Sequence, residues 1–166
     1  MIDQASAPLP EVLPVSAKTI TRGRACAIIR QADRLLLNRF GGDSFWALPG
    51  GAIESGEFST QALVREMREE LAVTVEIGRL VWMVENLFEY RGTFYTEFGF
   101  YYEAEWPPTR MSDAEFVGEE ADQFFRWVRY EEIAALDFRP TVLRLPLLAH
   151  VSGAQSAAPL HFLHKD

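Results

Sequence analysis

One stretch of this chain changes its hydrophobic period. Between Phe58 and Leu71 the residues Thr60, Leu63, Val64, Met67 and Leu71 recur at helical spacing, which predicts one amphipathic helix with a buried stripe. Ser59 is placed to cap its N-terminus, and Phe58 and Leu63 occupy the hydrophobic-staple positions. On either side the pattern is that of strands. Ala25 to Ile29 and Leu35 to Leu37 are apolar runs separated by Gln31-Ala32-Asp33, a hairpin signal. Phe45 to Leu48 reads as a short strand ended by Pro49-Gly50-Gly51. Val73, Val75 and Ile77 open a long strand reaching about Tyr90, and Arg91-Gly92 turns it back. Thr93 to Trp106 returns with Phe98, Phe100, Tyr102, Ala104 and Trp106 on one face and Glu97, Gly99, Tyr101, Glu103 and Glu105 on the other. Phe124 to Val128 is a last short strand. Tyr130 to Leu136 is helical, and a second helical segment follows Pro140, kinked or restarted at Pro146. Strands, a helix, strands and helices in that order predict an α/β fold: a central mixed sheet with helices on its faces.

The chain has 166 residues, enough for one core. Residues 1–17 are rich in Pro and Ala and read as a flexible N-terminal arm; 18–150 form the domain, and 151–166 read as a C-terminal tail. The net charge of −8 makes the chain a poor ligand for a nucleic-acid polymer or an anionic membrane, since both would repel it. A phosphorylated ligand would need a cation to mediate. The first residues show no signal-peptide pattern, no apolar run is long enough to span a bilayer, and the single Cys26 forms no internal disulfide. A cytoplasmic protein is expected.

The helix carries an arrangement that stability alone does not favour. Glu66, Glu69 and Glu70 stand at i, i+3 and i+4, so like charges are neighbours near the helix C-terminus, where the dipole also disfavours them. A bound divalent cation reverses the sign of that effect, because carboxylate oxygens suit Mg²⁺. An acidic solvated face with Arg65 and Arg68 as counter-ions is the other reading of these three residues.

The spacing upstream decides between the two. Gly51 is followed after five residues by Glu57, and after seven more by Arg65-Glu66-Met67-Arg68-Glu69-Glu70-Leu71-Ala72-Val73. This resembles the Nudix box, in which Gly, five residues, Glu and seven residues precede Arg-Glu-hydrophobic-any-Glu-Glu-any-Gly-hydrophobic. Eight of nine defined positions match; Ala72 stands where the family has Gly. Trp46-Ala47-Leu48-Pro49-Gly50-Gly51 also looks like the family's lead-in. The resemblance implies a Nudix-type α/β/α sandwich. It also implies a divalent-metal-dependent hydrolase (Mg²⁺ or Mn²⁺) that cleaves the pyrophosphate bond of a nucleoside diphosphate linked to another moiety. A nucleoside triphosphate, a dinucleoside polyphosphate and a nucleotide sugar are all open as substrate. Glu69, Glu70 and the Gly50 carbonyl would hold metal. Glu66 would hold metal or act as general base, and Glu57 would pair with Arg65. A later carboxylate is often added in the family; Glu103 is the candidate, with Glu119 and Glu120 as rivals. A non-catalytic sensor of the same fold is the alternative, but such proteins usually lack box carboxylates.

Substrate choice is less legible. Phe45, Trp46, Tyr90 and Tyr101 are candidates to contact a base, against the alternative that each packs in the sheet or core. The family's ADP-ribose type tends to carry a Pro downstream of the box, absent here; its dinucleoside-polyphosphate type tends to carry a Tyr, which Tyr90 would supply. His150, His161 and His164 read as tail or surface residues. A monomer or a homodimer is expected.

Overall fold

The apolar runs flanking Ala32 and Asp33 form the expected hairpin in a computed structural model that describes residues 18–107, 114–154 and 156–165. Its strands are β1 (Lys18–Gln31) and β2 (Arg34–Phe40), paired only at Arg30↔Leu35 and Gln31↔Arg34. Beyond that point they part. β3 (Gly50–Ala52) follows and pairs with β1 through Cys26↔Gly50. Then come α1 (Ser59–Leu71), β4 (Glu76–Tyr90), β5 (Thr93–Glu105), β6 (Phe116–Val117) and β7 (Gln123–Arg129). The chain continues through α2 (Tyr130–Ile133), a 3-10 turn at Thr141–Leu143, α3 (Arg144–Val151) and β8 (Leu160–Lys165). The sheet order is β6-β7-β2-β1-β5-β4-β8, with β3 off this path on β1. β1 and β5 run parallel from Lys18↔Thr93 to Ile29↔Ala104, while β2 pairs antiparallel with β7. The sheet is therefore mixed and split where β1 and β2 diverge.

Strand alternation sends the core to both faces. Ala25, Ala27 and Ile29 meet Ala62, Leu63 and Met67 of α1 on one face. Cys26, Ile28, Trp82 and Val84 meet Ile133, Leu143 and Leu147 of the other helical segments on the opposite face. This is the α/β/α sandwich. Among the described residues, no helix is long and apolar enough to cross a membrane.

Four readings change. The segment 151–166, read as a tail, carries β8, which pairs parallel with β4 from Trp82↔Leu160 to Leu87↔Lys165. The strand is short and leaves Leu160 and Leu163 exposed beside His161 and Lys165, so the sequence signal is faint; Phe162 packs inward on the core. Phe45 to Leu48 is not a strand but a segment held by isolated bridges, Asn38↔Ala47 and Trp46↔Phe138. The N-cap is Phe58 rather than Ser59, because the Ser59 hydroxyl is bonded to Tyr102 Oη at 2.7 Å and the Gln61 side chain accepts the Phe58 N–H. Pro146 falls in the first turn of α3, where a missing N–H is tolerated. The expected N-terminal arm lies outside the described residues.

Candidate active site

The lead-in loop is pressed between β1 and α1, and this is why two glycines stand there. Gly50 has φ +140°, and a Cβ on it would lie 2.0 Å from the Ala25 carbonyl oxygen. A Cβ on Gly51 would lie 2.1 Å from the Glu66 carboxyl carbon. The box thus brings its loop and its helix into direct contact.

Arg65 gathers the acidic residues. Its Nη2 donates to Glu57 Oε1 at 2.6 Å and to the Ala52 carbonyl at 2.9 Å. Its Nη1 donates to Glu66 Oε1 at 2.8 Å and to Glu69 Oε2 at 3.0 Å. One guanidinium therefore ties the loop to three carboxylates, including the Glu57 partner expected from the sequence. The Arg65 hydrogen bond holds the Glu57 carboxyl below its usual range. Burial pushes Glu66 up, against the pull of Arg65.

Glu70 differs from its neighbours. It is 3% exposed, on the inward stripe of α1, whereas the Glu69 side chain is half exposed. Gln123 Nε2 donates to Glu70 Oε1 at 2.6 Å, and Glu70 Oε2 is buried without a hydrogen-bond partner. Burial pushes its carboxyl up to about 7, although the Gln123 hydrogen bond works the other way. An orphaned buried carboxylate oxygen beside Glu66 fits a divalent cation, which prefers such oxygens. Among the described residues no three His, Cys, Asp or Glu side chains stand in chelating array. Glu66 and Glu69 instead turn onto Arg65, and Arg24 Nη2 donates to the Gly50 carbonyl at 2.6 Å. In this arrangement Glu66 and Glu69 have Arg65 as their counter-ion.

Ala72, the departure from the box, adopts the left-handed conformation at φ 53°, and its N–H closes the helix on the Arg68 carbonyl. The helix keeps the geometry of a glycine end with an alanine in it.

Glu103, the candidate for a later carboxylate, stands apart from the box carboxylates. That residue faces α3, on the side of the sheet away from α1. Its oxygens lie 3.1 Å from Arg79 Nε and 3.2 Å from His150 Nε2. The rivals are nearer. The Glu119 N–H donates to the Glu70 carbonyl at 2.7 Å, and Glu120 stands close enough to help raise the Glu70 carboxyl. His150, read as peripheral, is buried against Trp82 and Glu103.

Next to the box lies a cavity of about 320 Å³, whose lining includes Arg24, Asn38, Phe45, Asn86, Tyr90 and Tyr101. Arg24 joins the two places, since it lines the cavity and reaches Gly50. Phe45 and Tyr90 meet edge to face at 6.2 Å, and the Tyr90 hydroxyl donates to Asp43 Oδ2 at 2.8 Å. Burial and that partner push the Tyr90 hydroxyl up to about 12. Tyr101 is buried in the lining. Trp46 is not among the lining residues; it is buried in the core, with the Arg39 guanidinium over its ring. Arg24, Glu97, Gln123, Asn38 and Asn86 escaped the sequence reading. Glu97 had a signal, since it shares a strand face with Tyr101; Gln123 had none.

A family model described as the NUDIX domain matches residues 20–146. The chain belongs to the Nudix family. It is 46% identical over 44 residues to an 8-oxo-dGTP diphosphatase of Proteus vulgaris, covering 26% of this chain and 38% of that protein. It is 39% identical over 59 residues to the CTP pyrophosphohydrolase of Escherichia coli (strain K12), covering 33% and 44%. The matched segments thus span about two fifths of those Nudix relatives. The fold is similar to the crystal structure of a MutT protein from Bacillus halodurans, with TM-score 0.61 and 20% identity over 86% of this chain and 89% of that one. A Nudix hydrolase from Nitrosomonas europaea matches with TM-score 0.59 and 20% identity, covering 87% and 78%.

Proposed function

We propose that this chain is a divalent-metal-dependent pyrophosphohydrolase acting on a nucleoside diphosphate carried in a larger molecule, with a nucleoside triphosphate the first class to test. The observation that supports this best is Glu70, a buried carboxylate with one oxygen unpartnered, on the same helix as Glu66 and Glu69. Nothing in a merely structural helix calls for that. The names of the Proteus vulgaris and Escherichia coli relatives direct attention to nucleoside triphosphates.

Glu69, Glu70 and the Gly50 carbonyl would hold the ion. When bound, Mg²⁺ or Mn²⁺ would neutralise diphosphate charge and lower the pKa of a water. Glu66, half-buried and raised by that burial, is the residue to take the proton. Arg65 keeps Glu57, Glu66 and Glu69 in place and belongs to the positioning of the site. Arg24 and Arg39, both lining the cavity, supply positive charge for phosphate in a chain whose net charge is −8.

The test is turnover with Mg²⁺ of a panel of nucleoside triphosphates, ADP-ribose and dinucleoside polyphosphates, with products identified. Turnover of at least one, lost in Glu69→Gln and Glu70→Gln, is expected. No turnover of any, or full activity in both variants, sinks the proposal.

A further inference from the structure

The box glutamates are held in two different ways. Glu66 and Glu69 lie on Arg65, a cation of their own helix. Glu70 is held from another part of the chain, by the neutral amide of Gln123. The Gln123 Nε2 donates to Glu70 Oε1 at 2.6 Å across 53 positions of sequence. Gln123 is fully buried, opens β7 and stands opposite Phe40 of β2, so its backbone belongs to the sheet.

The turn between β6 and β7 keeps that contact in place. The Glu119 N–H donates to the Glu70 carbonyl at 2.7 Å, which satisfies one of the carbonyls a helix leaves free at its C-terminal end. Gly118 lets the turn come this close. A Cβ on it would lie 2.7 Å from the Glu70 carbonyl oxygen and 2.6 Å from Phe125 Cε2. The Gly118 N–H donates to the Gln123 carbonyl at 3.0 Å and closes the turn. One turn therefore grips both the main chain and the side chain of Glu70.

The type of donor matters as much as its place. A glutamine amide is planar, offers N–H bonds to an ionised oxygen and brings no charge. A guanidinium on Glu70 would neutralise it and compete with a divalent cation for its oxygens. The amide orients the carboxylate and leaves its charge intact.

We propose that Gln123 is a positioning residue of the metal site: its amide fixes the orientation in which the Glu70 carboxylate receives the divalent cation. Gln123 touches neither the ion nor the substrate and acts through Glu70. The inference rests on the metal-dependent reading above. Loss of such a partner behind a ligating side chain typically weakens metal binding about tenfold to a hundredfold.

The test measures metal binding without turnover. The full chain is titrated with Mn²⁺ alone, free Mn²⁺ is read by electron paramagnetic resonance, and Tm is recorded in chelator and in excess Mn²⁺. Gln123→Met keeps the length of the side chain and removes the donor. Its Kd for Mn²⁺ is expected to be about tenfold or more weaker than that of the parent, and the rise in Tm on adding Mn²⁺ smaller. A bond that serves stability alone would lower the Tm in chelator and leave the Kd unchanged, and that result overturns the proposal. Should Gln123→Met fail to fold by circular dichroism, Gln123→Asn, which keeps the amide but shortens its reach, decides by the same two readings. Turnover in the Mg²⁺ panel together with an unchanged Kd removes Gln123 from the site and leaves the hydrolase reading standing. A parent that binds no Mn²⁺ also overturns the inference, and the turnover panel then decides the hydrolase reading by itself.

Discussion

Replacing Glu70 by Gln should stabilise the metal-free protein at neutral and alkaline pH while removing its response to metal. The carboxyl is raised from 4.5 to about 7, mainly by burial. At about 1.36 kcal/mol per unit, keeping Glu70 ionised in the fold costs about 3 kcal/mol. The sign follows from proton binding. Between about 4.5 and 7 the folded state holds this proton more tightly than the unfolded chain, so stability falls as pH rises through that window. Glutamine has the same shape, stays neutral at every pH and can still accept the Gln123 hydrogen bond. The difference between parent and variant should therefore be small at pH 4.5 and approach about 3 kcal/mol at pH 8, or roughly 6–12 °C in Tm for a chain of this size. The assay is thermal unfolding of both proteins in chelator across that range, repeated with excess Mg²⁺ at pH 8. Metal should raise the Tm of the parent and leave that of Glu70→Gln nearly unmoved. Parallel pH profiles for the two proteins would refute the buried-carboxylate argument. Equal Mg²⁺ stabilisation would remove Glu70 from the metal site.

Three further outcomes are expected. Ala72→Gly relieves a left-handed alanine at φ 53°; a gain of about 1 kcal/mol, read as a Tm higher by about 2–4 °C, is expected with kcat unchanged. Glu103→Gln breaks contacts with Arg79 and His150 on the far face of the sheet; it should lower Tm while kcat stays within about twofold of the parent, and a large kcat loss would return Glu103 to the site. Arg65→Lys keeps the charge but not the fork that reaches Glu57, Glu66, Glu69 and the Ala52 carbonyl. Its kcat under saturating Mg²⁺ should fall about tenfold or more, and retained kcat would show that the gathering of carboxylates by Arg65 is dispensable.

What the sequence made legible follows from the range of the physics involved. The helix, the hairpin and the alternation of β5 rest on local periods, and the structure agrees with them. The box is local too: Gly51, Glu57 and Arg65 through Glu70 lie on one continuous stretch, so their mutual positions are nearly set by a turn and a helix. β8 was missed because its partner, β4, is far away in the chain, and an edge strand of six residues with His and Lys facing out has little apolar pattern of its own. The distance of Glu103 from the box escaped the sequence for a related reason. A period of two says which face of β5 a residue occupies, and it placed Glu97, Tyr101 and Glu103 together correctly. It says nothing about which end of the strand lies by the box.

That depends on the register with β1, where Gly50 sits opposite Cys26 and Cys26 opposite Tyr101. Glu103 lies two residues further along, past the sheet's split and into the reach of α3. Glu97 lies on the other side of Tyr101, at the cavity, held by Arg22 and directly across from Asn86. The same register sets the division of labour in this molecule. The box end of α1 meets β7 through Glu70 and Gln123, while β4 brings Tyr90 and β5 brings Glu97 and Tyr101 to the cavity. Glu70 is not among the cavity's lining residues, so Glu70 substitutions should alter turnover of every substrate rather than the preference among them.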